Sequence, residues 1–531
     1  MTVKIEKILT LAFCAFWMGV IFLEYWYYHP GYDTAIRYFQ YWDTLAILGV
    51  VGGIFFGLTK KKVIHKWGPF LFGGIGLYLG LMIISATILW THYPKLTNEM
   101  LDIGSGLAFL GKITGVLLAV YLIFMACYVL GSLFIKRIFV FPFEKLEGAL
   151  VKIALGTTFF SIYLTILAFV NLLTVFAVLP PFLLVLGIGW RTTLTFLQST
   201  LWQSFWSKEN ISWLGFTCGS LLLIFISLIF LSNIRPFPFG FDALAIYLNL
   251  PNLLSQKGGF IEGYSPYYWS LFMALGHLIF DQTPVTIGIA VTGGLLSTIA
   301  VFTISKKWLD VNQSLLVAVI FYSLPLVNYQ SFRDIKTDLG LLFILLTGVL
   351  LLMKWLELEE KVVKKGQEKT GNTANQTAPF LSKYLSETEQ LIVLIGLLSG
   401  MALGIKLTGL LLVFGVLTVL SFVLTGKIGF VANGLLTFFI VLAGGLDTSL
   451  RPYHFGADSF KWLVLLLGVG TIGYVFIKNR QQFVRLVKLV AIYTVLVGLV
   501  YAPWPLKNFK ETGEISIKTF IEGKPIGIPD D

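Results

Sequence analysis

Long uninterrupted apolar stretches are the feature of this sequence that most restricts its fold. Several of them reach or approach the roughly 20 residues that an α-helix needs to cross a bilayer, as in the run from about residue 8 to residue 25. The chain is 56% hydrophobic and only 13% charged, and a soluble fold could not cover that much apolar surface. A membrane β-barrel would show short alternating segments instead. The sequence therefore predicts an all-α, polytopic integral membrane protein.

The apolar stretches predict about fifteen transmembrane helices by this length criterion. We place them at residues 8–27, 43–58, 68–90, 105–134, 149–177, 179–197, 212–232, 284–304, 313–329, 338–354, 389–405, 408–424, 429–446, 461–478 and 488–503. The first stretch has no small-residue cleavage site after it, which indicates a retained helix rather than a signal peptide. The three cysteines fall within predicted spans without metal-site spacing, so we interpret them as core residues.

The loops rich in lysine and arginine lie on one side of this topology. The positive-inside rule makes that side cytoplasmic, together with the N-terminus. The same bias accounts for the net charge of +11 without nucleic-acid binding. The loop at 233–283 and the tail from 505 then lie on the outer side.

Five parts follow from this organisation. They are N-terminal transmembrane helices without an assigned role (1–210), a core with the outer loop 233–283 (211–354), a flexible cytoplasmic loop (355–388), C-terminal helices (389–504) and a short outer tail (505–531). The middle of the cytoplasmic loop, GQEKTGNTANQTAP, lacks large apolar residues. In the outer loop, ALAIYLNLPNLL and SPYYWSLFMALGHLIF are predicted to be amphipathic helices in the outer interface, where Tyr and Trp are favoured.

Asp242 is the most unusual charge in the chain. It stands just past a predicted span, between prolines and an amphipathic helix. Carboxylates near membrane depth are costly and are commonly functional. An aspartate at a helix start can also serve only as an N-cap, and the residues alone leave both interpretations open.

Four motifs on the predicted outer side carry a family pattern. The outer loop supplies Asp242, Ala243, Leu244, Leu248, Pro251, Gly258, Ser265 and Pro266, with Ile246 and Tyr247 where a Tyr-His pair is usual. RDIKTDLGLLFILLTGVLLL places Asp338 at the start of a span. SGMALGIKLTGLLLV contains Gly400, Ala402, Gly404, Lys406 and Thr408, and APWPLKNFKETGE contains Pro503, Trp504, Lys507, Asn508, Thr512 and Gly513.

Together these motifs resemble those of bacterial GT-C glycosyltransferases of the protein-mannosyltransferase, aminoarabinose-transferase and Rgt-type groups. The resemblance covers residues 212 to 520 and implies a multi-pass enzyme of the bacterial cytoplasmic membrane with an extracytoplasmic active site. Its donor would be a polyprenyl-phosphate-linked sugar, and its acceptor would be lipid- or protein-linked. Transfer would invert the anomeric centre through a single displacement.

The resemblance and the chemistry of transfer assign roles to individual residues. Asp242 is the candidate general base, and Asp338 is a second catalytic candidate that orients the site or helps bind a cation. The candidate substrate-binding residues are Lys507, Lys406, Arg333, Asn508, Tyr247 and Tyr264, the cations among them receiving the anionic phosphate. Glu262 could join Asp242 in holding a divalent cation such as Mg²⁺ or Mn²⁺, because hard cations prefer oxygen ligands.

Other interpretations of these residues stay open at this point. Lys507 can simply lie at an interface near Trp504, whereas Lys406 is flanked by apolar residues and needs a partner, either Asp338 or a substrate phosphate. Tyr264 and Tyr268 can anchor the loop in the interface. A transporter or flippase for a lipid-linked or anionic solute is the alternative function, since glycine-interrupted helices with buried charges also mark transport sites. A transporter would place its charges near the midplane.

Overall fold

The computed structural model describes residues 103–139, 143, 145–195, isolated positions between 215 and 229, and residues 242–263, 266–332, 335–365, 384–443 and 458–513. Every regular element in these ranges is helical. The predicted spans at 8–27, 43–58 and 68–90 and most of 212–232 lie outside the described residues.

Sixteen helices are named here in chain order. They are α1 (Ile103–Ile138), α2 (Lys145–Phe169), α3 (Val175–Ile188), α4 (Trp190–Thr195), α5 (Asn249–Lys257), α6 (Tyr268–Met273), α7 (Leu275–Phe280), α8 (Thr283–Ser305), α9 (Val311–Ser323), α10 (Pro325–Phe332), α11 (Asp338–Lys365), α12 (Glu387–Ile405), α13 (Leu410–Ala443), α14 (Asp458–Lys478), α15 (Arg480–Tyr501) and α16 (Pro503–Thr512). A π-helical turn, Ala243–Tyr247, precedes α5, and a 3₁₀ turn, Leu407–Gly409, follows α12.

Eight helices of the described residues are long and apolar enough to cross a bilayer, or nine if the bent pair α9 and α10 counts as one span. This confirms a helical membrane protein but not the count of fifteen spans. The described part of the predicted span at 179–197 lies in α3 and α4, which have 14 and 6 residues and are each shorter than a crossing.

Helix α13 contains a sharp reversal at Gly426, whose φ of 72° and ψ of −160° are non-helical. Asn433 Nδ2 donates a hydrogen bond of 2.8 Å to Thr418 Oγ1, and the rings of Phe422 and Phe430 are 6.3 Å apart. In a straight helix, residues 418 and 433 would be about 22 Å apart. The two halves of α13 therefore fold back on each other as a hairpin, in agreement with the predicted spans at 408–424 and 429–446.

The prediction of a flexible loop beginning at residue 355 is wrong at its start. Helix α11 continues to Lys365, and Trp355 and Glu359 are both buried in it. In this extension Glu359 forms a hydrogen-bonded ion pair with Arg485 of α15. On the far side of the predicted loop, α12 starts with a capping box in which Ser386 and Glu389 bond each other's backbone N–H groups.

Two compact units divide the chain. The described part of the first comprises residues 103–114, the isolated positions between 215 and 229, and residues 308–332. Within it, Asp310 caps α9 by accepting a hydrogen bond from the Gln313 backbone N–H, and α9 and α10 meet at a bend of 66°.

The second unit contains all of the other described residues and all of the candidate site residues that the structure describes. Its helices α1 and α2 pack closely at two glycines, which have no side chain. A Cβ on Gly131 would overlap the Lys152 carbonyl, and a Cβ on Gly156 would overlap the Cys127 carbonyl. Helix α12 is the most enclosed span, with 94% of its apolar window buried. It therefore forms the centre of this unit.

Ion pairs between helices show which helix ends lie together. Glu359, late in α11, pairs with Arg485 in α15, and Glu389 in the first turn of α12 pairs with Lys488. Helix α11 therefore runs antiparallel to α12 and α15. Asp338, the end of α12 and the end of α15 share the opposite end of the bundle, which we call the Asp338 end. The other is the Arg485 end.

Candidate active site

Asp242 forms an ion pair that joins the outer loop to the start of α11. Its Oδ2 lies 2.6 Å from Lys336 Nζ, and both side chains are partly buried. Asp242 occupies the cap position of the π-helical turn, but its side chain makes no capping hydrogen bond. The alternative that Asp242 serves only as an N-cap is therefore wrong, and its carboxylate is held by a cation instead.

Asp338 and Lys406 form a second pair at the same end. Lys406 Nζ donates a hydrogen bond of 2.7 Å to Asp338 Oδ1. Lys406 has extended backbone (φ −161°, ψ 147°) between α12 and the 3₁₀ turn, which directs it out of the helical path. Burial alone would lower the pKa of Lys406, but the hydrogen bond and charge of Asp338 raise it above the usual value. This confirms the expectation that a lysine so placed needs an anionic partner.

Tyr247 lies within the electrostatic influence of both pairs. Burial raises the pKa of its hydroxyl; Asp338 and Asp242 add to that rise, and Lys406 and Lys336 oppose it. Three segments that are far apart in sequence therefore meet at one place. We call Asp242, Tyr247, Lys336, Asp338 and Lys406 the carboxylate–lysine cluster.

Lys507 lies in a different group of side chains. It is 2% exposed, and its Nζ is 2.7 Å from Glu511 Oε1 on the next turn of α16. The rings of Tyr267 and Phe260 lie 5.7 and 6.0 Å from the ammonium. Burial lowers the pKa of Lys507, and the hydrogen bond and charge of Glu511 oppose that change. We call Lys507, Glu511, Tyr267 and Phe260 the Lys507 cage.

Aromatic contacts fix α16 and α6 against the end of α12. The Tyr268 hydroxyl donates a hydrogen bond to the Val500 carbonyl, and the Tyr268 and Trp504 rings are 4.9 Å apart. A Cβ on Gly404 would overlap the Tyr268 ring and lie 2.9 Å from Trp504 Nε1. Gly404 is two residues from Lys406, so the glycine allows α6 and α16 to pack beside the cluster.

Helix α6 differs from the predicted interfacial helix. All six of its residues are buried within the protein, including Tyr268 and Trp269. Tyr268 is therefore a packing residue rather than a membrane anchor, because its hydroxyl is consumed by a backbone carbonyl. Helix α5 agrees better with the prediction, since it has buried leucines on one face and exposed residues on the other.

Each carboxylate of the proposed metal pair lies near a lysine. Glu262 lies 3.9 Å from Lys257 and influences Lys507, whereas Asp242 is paired with Lys336. No group of three or more His, Cys, Asp or Glu side chains within the described ranges is placed to hold a metal ion.

The remaining candidate residues have separate outcomes. Asn508 is buried in α16 next to Lys507. Arg333 and Tyr264 lie outside the described residues.

Two functional candidates in the structure were missed from the sequence. Lys336 is not among the candidates from the sequence, but it forms an ion pair with Asp242. Glu511 was not considered, although its spacing of four from Lys507 is the usual signal of a helical ion pair. The contact of Lys336 with Asp242 depends on the fold, whereas the pair of Lys507 and Glu511 could have been predicted from their spacing.

Comparisons with models of known protein families, with curated protein sequences and with solved structures found no match.

Proposed function

We propose that this protein is a membrane glycosyltransferase. It would transfer a sugar from a polyprenyl-phosphate donor to a hydroxyl group of a lipid- or protein-linked acceptor on the extracytoplasmic face. The observation that carries the proposal is the carboxylate–lysine cluster, which brings Asp242 and Asp338 together with two lysines at one end of the bundle. A transporter would be expected to hold its charges near the midplane instead.

The chemistry of the cluster fits sugar transfer from a phosphate. The acceptor oxygen attacks the anomeric carbon, its proton passes to the Asp242 carboxylate, and the bond between that carbon and the phosphate oxygen breaks. The leaving polyprenyl phosphate gains negative charge, which Lys406 and Lys336 can stabilise as point charges. A positioned carboxylate base contributes about 10²–10⁴-fold to such reactions.

Replacement of a carboxylate by the donor phosphate on a lysine would connect donor binding to catalysis. Each lysine of the cluster holds a carboxylate at 2.6 or 2.7 Å. A donor phosphate competes for the same ammonium groups, so its arrival would release Asp242 from Lys336. The freed carboxylate could then accept the acceptor proton. Lys507 would reach a donor phosphate only by leaving Glu511.

The test is transfer by the purified full-length protein. It would be incubated in detergent with a panel of radiolabelled polyprenyl-phosphate sugars and extracted membrane acceptors. We expect Asp242→Asn to lose at least about 100-fold of the transfer rate. The matched control is Asp281→Asn, because Asp281 is an exposed aspartate whose left-handed backbone (φ 48°) asparagine tolerates.

Two results would contradict the proposal. Transfer that survives Asp242→Asn would remove Asp242 from the role of base. A wild-type protein that binds or translocates a lipid-linked sugar without breaking its glycosidic bond would favour the transporter.

A further inference from the structure

The Arg485 end contains a second charged region that the proposed function does not use. A cavity of about 170 Å³ opens there, lined by Thr425, Ile428, Val475, Lys478 and Asn479. It lies between the reversal of α13 and the tight connection from α14 to α15. Because residues 426 and 479 are the turning points of these two hairpins, the cavity is at the end of the bundle opposite the carboxylate–lysine cluster.

One cation lines this cavity, and two more are next to its lining residues in sequence. Lys478 lines it, and Lys427 and Arg480 directly adjoin the lining residues Ile428 and Asn479. All three are exposed, and none has a carboxylate within 4.0 Å in the described part of the chain.

Other cations at the same end of the bundle do form ion pairs. Arg485 is paired with Glu359, and Lys307 with Glu357. The cavity therefore concentrates positive charge that the described protein leaves unneutralised, although it neutralises cations close by.

The surface beside the cavity is apolar. Ile477, one residue before Lys478, is 83% exposed, and Leu466 and Leu467 are exposed further along α14. Only 17% of the apolar window of α14 is buried, which is the lowest value among the described spans. Lys478 lies over the Tyr474 ring at 5.7 Å and Arg480 over the Phe476 ring at 5.8 Å. Aromatic rings with cations beside them are typical of the membrane interface.

We infer that the cavity at the reversal of α13 binds the headgroup of an anionic phospholipid. The phosphate would lie against Lys478, with Lys427 and Arg480 adding to the attraction. The acyl chains would run along the exposed apolar face of α14. A free phosphate ion would use only the cations, whereas a phospholipid matches both the charge and the adjoining apolar helix. This inference does not depend on the glycosyltransferase proposal, because no residue of the carboxylate–lysine cluster takes part in it.

Native mass spectrometry of the delipidated full-length protein tests this inference. The protein in detergent would receive equal amounts of phosphatidylglycerol and phosphatidylcholine. We expect preferential retention of one phosphatidylglycerol molecule. Lys478→Gln and Lys427→Gln should each reduce that preference about fivefold, the effect of removing one cation near an anionic headgroup. The matched control is Lys510→Gln, which removes an exposed lysine of α16 and should leave the preference unchanged.

Three results would overturn the inference. Equal retention of the two lipids by the wild-type protein would show that there is no anionic site, whatever the variants do. A similar loss in Lys510→Gln would show a general effect of net charge rather than a site. Displacement of phosphatidylglycerol by millimolar inorganic phosphate would assign the cavity to a free anion.

Discussion

From the structure of the Lys507 cage we predict that two substitutions which break the same ion pair lower the unfolding free energy by different amounts. Glu511→Gln removes the carboxylate that lies 2.7 Å from the ammonium of Lys507, which is 2% exposed. Breaking a buried pair in this way costs about 3–5 kcal/mol of unfolding free energy. Lys507→Met leaves the Glu511 carboxylate, which is 16% exposed and can turn to water. Methionine fits an aromatic cage, so we expect a cost of about 1 kcal/mol.

Equilibrium unfolding in mixed detergent micelles, followed by tryptophan fluorescence, measures this difference. Trp504 is fully buried in α16 and reports on the same helix. We expect Glu511→Gln to be the less stable variant by about 2 kcal/mol or more, the difference between the two costs. A Lys507→Met variant that is equally or more destabilised would refute the cage argument. The lysine would then contribute net stability to α16 rather than require a partner.

The pH dependence of stability provides a second measurement on the same residue. Burial lowers the pKa of Lys507 in the folded state below the ordinary value of 10.5. Between the lowered pKa and 10.5 the unfolded chain binds more protons, so the contribution of Lys507 to stability rises with pH in that window. The free-energy difference between wild type and Lys507→Met should therefore shift in favour of wild type as the pH increases towards 10.5. A flat difference would contradict the lowered pKa.

Two further predictions concern the scaffold. Arg485→Met leaves Glu359, whose side chain is 4% exposed, uncompensated and should cost about 3–5 kcal/mol in the same unfolding assay. Lys488→Met removes a lysine that is 56% exposed and should cost at most about 1 kcal/mol, so equal losses would contradict this account. Gly156→Val would force a side chain into the Cys127 carbonyl and should lower the unfolding free energy by about 1–3 kcal/mol or more. An unchanged thermal midpoint would show that α1 and α2 can separate there.

The apolar stretches predicted the end positions of a span correctly where the sequence next to each end marks it. Helix α8 was expected at 284–304 and lies at 283–305, with a proline in its first turn. Helix α11 begins at Asp338 as predicted, but its other end was misplaced by eleven residues, from 354 to 365. The extension is amphipathic and charged, so hydropathy ends before the helix does. The ion pair of Glu359 with Arg485 of α15 and the burial of Trp355 make those turns part of the folded core.

Parts of the candidate site could be predicted where the residues around one side chain already show that it needs a charged partner. A lysine among apolar residues must find an anion, and this reasoning gave Asp338 or a substrate phosphate as the partner of Lys406. No such argument could link Asp242 to Lys336, because the two residues lie in separate segments, one in the outer loop and one just before α11. Which carboxylate a flexible lysine reaches depends on how the outer loop folds over the start of α11. That fold is determined by tertiary packing such as the aromatic contacts of α6.

Under the proposed function, the balance of charge within the cluster bears on how an anionic donor would bind. Among the described residues of the cluster, two carboxylates and two ammonium groups sum to zero. A phosphate that binds a lysine of the cluster would compete with the carboxylate already paired to it. If Asp242 is the base, binding of the donor phosphate to Lys336 would release the Asp242 carboxylate for catalysis. The carboxylate would remain neutralised, and unable to promote unwanted proton transfer, until a donor is bound.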